Sequence, residues 1–192
     1  MAKIETHIEY KKLKNAIKAM SEKFKVKVGL LANKGGTDSV SENLDLAGLG
    51  AVQEFGATIN VTDKMRAFFR YQFGINLKKT TTTIVIPARS FLELPFKQQI
   101  KKLEKYMFEK FGDEDIEGIE YWIATKGDFE SVAQMLGSVG VRLVNEAFET
   151  SGWGEWLPNS PLTIAQKGSA MPLIGKNGKL RQSITYEVDK NV

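Results

Sequence analysis

The sequence predicts an α+β protein in which amphipathic helices pack on a twisted antiparallel sheet. Alternating apolar residues indicate half-buried strands at Val26–Leu30 and near the end of the chain, before Val188. Apolar residues at steps of three and four between Tyr10 and Phe24 indicate a first helix whose other side carries lysines. A helical pattern dominates again at about 94–150. At 192 residues, we expect one domain spanning residues 1–192.

The central stretch of the chain runs from Leu46 to Leu92. It opens with a short helix of small residues that we expect to stop at Gly56, because glycine readily adopts the left-handed conformation of a helix end. The glycines and alanines of this helix leave room for another backbone. Contact with the protein's own sheet is favoured slightly over contact with a second subunit.

A helical insertion at about 62–80 is predicted to interrupt a hairpin, with Thr62 or Asp63 as its N-cap. The window around Arg66 is the most aromatic of the chain, and it contains Phe68, Phe69, Tyr71 and Phe73. Interleaved cations and aromatics can stack single-stranded nucleic acid. A core or interface patch is favoured here, because Lys78 and Lys79 lie beyond the aromatic residues. The β-branched run that follows completes the hairpin and stops at a proline.

Three helices are predicted after this hairpin. The first ends at Gly112, the second spans about 116–127, and the third begins after Asp128. Gly137 and Gly140 lie within the third helix, where each costs about 1 kcal/mol relative to alanine. We interpret them as marking a close helix–helix approach.

Glycines and prolines predict a loop at 151–162 that carries Trp153 and Trp156. These tryptophans either fix the loop to the core or bind a partner, and both alternatives stay open. Asn177–Gly178 predicts a turn, and the apolar residues of 180–188 predict the closing strand.

Composition argues against several classes of protein. The absence of cysteine excludes disulfides, Cys-ligated zinc and a thiol nucleophile. His7 is the single histidine, so neither a Ser-His-Asp triad nor a His-rich metal site is expected. No apolar run reaches the roughly 20 residues of a membrane helix, and the N-terminus lacks a signal-peptide pattern. We therefore expect a soluble intracellular product that is not an enzyme, with no cofactor, no metal and no membrane partner.

The formal net charge of +4 permits weak nucleic-acid contact without arguing for it. Lysines crowd residues 11–27, and acids crowd residues 113–120. Two solvated faces would explain this pattern. Alternatively, the basic face of one copy meets the acidic face of the next in a head-to-tail ring.

Three blocks carry a resemblance to a known family. They are Ala51–Ala57 (AVQEFGA), Ile86–Leu92 (IPARSFL) and Leu173–Val188. In this order they resemble the neck and tail-completion proteins of long-tailed bacteriophages, the group that includes Mu G-like virion-morphogenesis proteins and related minor tail components. Ser90 replaces a proline of the family pattern, and Gly175–Gly178 replaces an Asp-Thr-Gly element. The aromatic insertion resembles one in the Mu-like branch.

The resemblance implies a non-enzymatic virion protein that forms a ring at the head–tail junction, as a neck or tail-completion (tail terminator) subunit. Its expected partners are further copies of itself, with a hexamer favoured and a dodecamer possible, together with tail-tube and head-connector or head-closure proteins. At most weak, non-specific contact with channel DNA is expected. Its expected location is the virion, and the host cytoplasm during assembly.

We expect twelve residues to form the interface, with Arg89 pairing with a carboxylate for which Glu54 is one candidate. They are Glu54, Phe55, Gly56, Arg66, Phe68, Phe69, Pro87, Arg89, Phe91, Leu92, Trp153 and Trp156. The alternative function is a nucleic-acid-binding module that uses the lysine-rich N-terminal helix and the Phe68–Phe73 aromatics. A hydrolase built from scattered carboxylates ranks behind both.

Overall fold

The computed structural model describes residues 18, 22–34, 36, 39–41, 44–111, 129–175 and 177–190. Over these ranges the protein combines helices with small antiparallel sheets, so the predicted α+β class is confirmed. The described strands form three two-stranded sheets, which pair β1 with β6, β2 with β3, and β4 with β5.

The elements with described bounds are, in chain order, β1 (Phe24–Gly29), a 3₁₀ turn (Ala32–Lys34), β2 (Ser39–Ser41), β3 (Leu44–Asp45), α1 (Leu46–Phe55), β4 (Ala57–Asn60), α2 (Asp63–Phe73), β5 (Thr83–Ile86), α3 (Glu93–Gln98), α4 (Ile100–Phe111), α5 (Phe129–Glu149), α6 (Pro161–Lys167), α7 (Lys179–Gln182) and β6 (Thr185–Lys190).

The first and last of these strands form one antiparallel ladder, in which Phe24 pairs with Lys190. Helix α5 packs across both strands. A Cβ atom added at Gly137 would lie 2.2 Å from the Tyr186 ring, and one at Gly140 would lie 3.0 Å from Val28. The glycines therefore mark a close approach of helix to sheet. The predicted helix–helix approach is wrong at Gly137, where the neighbour is a strand residue. At Gly140 it is confirmed in part, because Phe96 of α3 lies 3.5 Å from the added atom.

Strand and helix boundaries differ from the prediction at both ends of this ladder. Phe24 begins β1 and does not belong to the first helix, most of which lies outside the described residues. The predicted closing strand starts only at Thr185. The residues before it form α7, a helical turn that begins after Gly178 (φ 57°) and buries Leu180 in the core.

The helical segment after β5 also differs from the prediction. Gln99, with φ −114° and ψ 25°, separates α3 from α4, so the expected single helix is two. Its carbonyl accepts hydrogen bonds from the N–H groups of Lys102 and Leu103, which begins the new helix. The predicted second helix at 116–127, the stop at Gly112 and the cap at Asp128 lie outside the described residues.

The hairpin with a helical insertion is confirmed. β4 and β5 are antiparallel, with Ala57 opposite Ile86 and Asn60 opposite Thr83, and α2 lies between them. The Thr62 hydroxyl accepts a 3.2 Å hydrogen bond from the Met65 N–H, so Thr62 is the N-cap. We call residues 62–82 the arm.

The main core brings the three sequence blocks together. Phe91, which is fully buried, has its ring centroid 5.3 Å from that of Phe148, and Trp156 follows at 5.8 Å from Phe148. Leu180 and Ile184, from the last block, lie in the same cluster. The first block reaches this core through Glu54, as described next.

Candidate interaction surface

The carboxylate of Glu54, on the last turn of α1, joins α1 to the start of α3. Oε1 accepts hydrogen bonds from the Ser90 hydroxyl at 2.6 Å and the Glu93 N–H at 2.9 Å. Oε2 accepts from the N–H groups of Phe91 at 2.7 Å and Leu92 at 2.9 Å. The first N–H groups of a helix have no partner within it, and they favour an anionic acceptor. Glu54 supplies that acceptor and is only 6% exposed.

Gly56 fixes the geometry just after this carboxylate. Its φ of 73° confirms the predicted positive φ, although its ψ of 173° is extended and not helical. A Cβ atom there would lie 2.8 Å from both the Ala88 nitrogen and the Ile86 oxygen. Gly56 and the segment around Pro87 are therefore in backbone contact, which brings the first two blocks side by side.

Arg89 does not pair with Glu54, so this predicted ion pair is wrong. Its Nε donates to the Leu157 carbonyl at 2.9 Å, and a terminal nitrogen donates to the Pro158 carbonyl at 3.2 Å. Its own N–H donates to the Gln53 carbonyl at 2.7 Å. The guanidinium thus reaches the segment after α5, whereas the Glu54 oxygens are occupied by the start of α3. Arg89 is 7% exposed.

A second cation lies near this buried guanidinium. Burial lowers the pKa of Arg89. Burial also lowers the pKa of Lys167, and the positive charge of Arg89 lowers it further. Lys167 Nζ donates to the Met171 carbonyl at 2.7 Å. Among the described residues neither cation has a carboxylate at ion-pairing distance, so both charges are matched only by neutral carbonyl oxygens.

Both cations line a groove of about 1240 Å³. The rest of its lining comes from α1, the arm, β5 with Pro87, and the segments 157–163 and 173–180. Val85 and Leu157 lie among them and are 66% and 60% exposed. The groove therefore combines accessible aliphatic surface with two cations that lack an acidic partner in the described structure.

The arm carries the predicted aromatic window outside the core. No residue of α2 is buried. The rings of Phe68, Phe69 and Phe73 pack edge-on against one another, with centroids 5.4–6.1 Å apart. Arg66 donates to the carbonyls of Lys78 at 2.9 Å and Thr81 at 2.7 Å, and so closes the arm. The aromatic side chains thus form a small cluster of their own.

The two tryptophans both fix their loop to the body of the protein. The Trp156 indole N–H donates to the Ser90 carbonyl at 3.1 Å, and the ring is 6% exposed. The Trp153 indole N–H donates to Glu146 at 3.2 Å. Of the two alternatives left open by the sequence, the structure supports attachment to the core. The end of the predicted loop is helical, since Ser160 caps α6 at Pro161.

The twelve predicted interface residues divide by exposure. Glu54, Arg89, Phe91 and Trp156 are buried within the chain. Of these four only Arg89 lines the groove, so the other three offer almost no side-chain surface to a second subunit. Phe55 is 75% exposed and Phe68 is 54% exposed. The other six are half-buried, namely Gly56, Arg66, Phe69, Pro87, Leu92 and Trp153.

Within the described ranges, no group of three or more His, Cys, Asp or Glu side chains is placed to hold a metal ion. None of the described helices is long and apolar enough to span a membrane. His7 and the acidic run 113–120 lie outside these ranges.

No family model, curated protein or solved structure matches this chain.

Two structural features had no signal in the sequence. The first is the cluster around Glu146, which joins α4, α5 and the Trp153 loop. Glu146 pairs with Lys102 and accepts a 2.6 Å hydrogen bond from the Tyr106 hydroxyl. The second is the position of Lys167 beside Arg89. Both depend on residues tens of positions apart, so no local spacing could predict them. The buried Asn159 had a weak signal, because it lies between two prolines.

Proposed function

We propose that this chain is a structural protein of a long-tailed bacteriophage, and that it acts as a neck or tail-completion ring subunit at the head–tail junction. The observation that supports this proposal is the convergence of the three resembling blocks. Glu54 of the first block binds the backbone of the second, and Phe91 shares a core with Leu180 and Ile184 of the third. The sequence pattern thus corresponds to one structural unit.

A ring built from identical subunits needs two different, complementary patches on each copy. The described surface has suitable features for one of them. The groove offers cations and aliphatic side chains, and the arm offers exposed aromatic residues such as Phe68 and Tyr71. These are properties of a protein that binds other proteins.

The charge of the chain is compatible with a position around a DNA channel. Each phosphate contact strengthens the salt-sensitive binding of DNA. A channel protein must bind DNA weakly, because the genome has to slide through the channel. A net charge of +4 is modest for 192 residues. We propose that tail-tube and head-connector proteins, and not DNA, are the main partners in the virion.

The first experiment is the mass of the purified protein in solution, followed by negative-stain imaging of the same sample. A ring of six or twelve copies is the expected result. If the protein is monomeric, it should close into a ring on purified tail tubes or head connectors. A monomer that binds neither structure contradicts the proposal.

One observation favours nucleic-acid binding as a second candidate. The arm contains five cations and one anion, and Phe68 and Tyr71 are exposed on it. The cations are Lys64, Arg66, Arg70, Lys78 and Lys79. A submicromolar affinity for single-stranded DNA that falls steeply with salt, and that is lost in Tyr71→Ala, would support this function. Micromolar or weaker affinity without such a loss would exclude it.

A further inference from the structure

We infer that the groove over Arg89 and Lys167 binds an acidic segment of a second copy of this chain, and that this segment is the run 113–120. The inference rests on the proposed self-assembly. It identifies the two surfaces through which neighbouring subunits would meet. It also assigns the groove a ligand of defined chemistry.

The first reason is the state of Arg89. A buried charge is costly unless it is paired and hydrogen-bonded. Arg89 as a whole is 7% exposed, and the described partners of its guanidinium are the carbonyls of Leu157 and Pro158. These carbonyls orient the side chain but do not neutralise it. An incoming carboxylate would supply the missing negative charge.

The second reason is the neighbouring Lys167. Lys167 lines the same groove as Arg89, and the positive charge of Arg89 lowers the pKa of Lys167. Two like charges in one partly buried groove favour an anionic ligand, because one ligand can offset both. Lys167 is half-buried and lines the groove, so an incoming side chain can reach it.

The third reason is the shape of the groove and the strand that lines it. Its volume of about 1240 Å³ exceeds the ~300–1,000 Å³ that is usual for small-ligand pockets. Residues 84–86 of β5 line it, and in the described part of the chain β5 pairs with β4 alone. The groove therefore has room for a segment of another chain, and its strand edge offers backbone groups that such a segment can contact.

The segment that would occupy the groove is identified by its charges and its apolar residues. The run 113–120 reads DEDIEGIE, in which five acids are interspersed with Ile116 and Ile119. Its acids complement Arg89 and Lys167, and its isoleucines complement the exposed Val85 and Leu157. Pairing the groove of one copy with the acidic run of the next also creates the heterologous contact that a ring requires.

The direct test is the binding of a fluorescein-labelled peptide of residues 112–123 to the intact protein, followed by fluorescence anisotropy. We expect saturable binding that Lys167→Glu weakens about tenfold or more, because it places like charges together. Lys97→Glu is the matched control, since Lys97 is an exposed lysine on α3 outside the groove lining. It should bind the peptide as the wild type does. A peptide with its five acids replaced by amides should not bind.

The second test separates contact between copies from contact within one copy. Lys167→Glu and Glu117→Lys should each impair ring formation, measured by mass in solution. An equimolar mixture of the two variants should recover it, because the carboxylate introduced at position 167 can then pair with the ammonium introduced at position 117 of the other variant. Both variants should keep the wild-type melting temperature.

The outcomes distinguish this inference from the proposed function. Rings that form normally in Lys167→Glu, together with a peptide that does not bind, overturn the inference and leave the ring proposal intact. Peptide binding without recovery in the mixture overturns the assignment to a second copy. A wild-type chain that forms no ring, even on tail tubes or connectors, contradicts the proposed function itself.

Discussion

The Ser90 hydroxyl lies 2.6 Å from Glu54 Oε1 and donates a hydrogen bond to it. The same hydroxyl accepts a 3.0 Å hydrogen bond from the Leu94 N–H. A proline at this position could do neither. The serine therefore links the end of α1 to the first turn of α3.

Replacing Glu54 by glutamine should destabilise the protein by about 2 kcal/mol, because the amide nitrogen cannot accept the hydrogen bonds that the second oxygen accepts. Urea unfolding measures this loss. Glu93→Gln is the matched control. Glu93 is exposed, and among the described residues its side chain pairs with Lys97 alone, one turn along the same helix, so its loss should cost less than about 0.5 kcal/mol. Equal effects of the two variants would contradict the role assigned to Glu54.

Replacing Gly137 by alanine should destabilise the protein by about 2–3 kcal/mol, although alanine favours helix by about 1 kcal/mol. The added methyl group would overlap the Tyr186 ring, which lies against the ladder. Thermal unfolding monitored by circular dichroism measures the change. Gln134→Ala, at an exposed position of the same helix, should be neutral or stabilising. An unchanged melting temperature in Gly137→Ala would show that α5 moves away from the sheet without cost.

The Glu146 cluster predicts a loss of stability in acid. Burial raises the pKa of Glu146, but hydrogen bonds from Lys102, Tyr106 and Trp153 outweigh burial and lower it below its usual 4.5. Because the folded-state pKa is the lower one, this stabilisation is complete above pH 4.5 and is lost as the pH falls through the folded-state value.

Urea unfolding of the wild type and of Glu146→Gln at several pH values tests this expectation. The stability difference should be about 1–2 kcal/mol near neutral pH and should shrink below pH 4.5. A difference that stays constant down to the acid limit would mean that the Glu146 charge does not contribute.

Reversing the charge of Arg89 should abolish soluble protein. A carboxylate cannot donate to the Leu157 and Pro158 carbonyls, and an unpaired buried charge costs about 3–5 kcal/mol. Soluble yield and melting temperature measure the effect. Lys167→Glu, at the half-buried position of the same groove, should remain soluble. A soluble, folded Arg89→Glu chain would show that the contacts with the Leu157 and Pro158 carbonyls are not needed for folding.

Local signals predicted the elements that depend on neighbouring residues. The stop of α1 at Gly56 and the cap at Thr62 each rest on a few adjacent positions. The partners of Glu54 and Arg89 were not predictable, since they lie 36–39 and 68–69 positions away in the chain. Nothing in the sequence shows whether a charged side chain pairs with an oppositely charged side chain or with a set of backbone groups. The break between α3 and α4 was also not predictable, because the residue at the break, Gln99, is neither a glycine nor a proline.

The ladder between β1 and β6 has a mechanical consequence. Phe24 and Lys190 are opposite each other at one end of it, so tension applied through these two residues pulls adjacent points apart. The hydrogen bonds of an antiparallel pair run across the strands and along that pull. The hydrogen bonds therefore break one after another and do not share the applied force. A particle that transmits force through this subunit would have to apply it elsewhere than at the ends of this ladder.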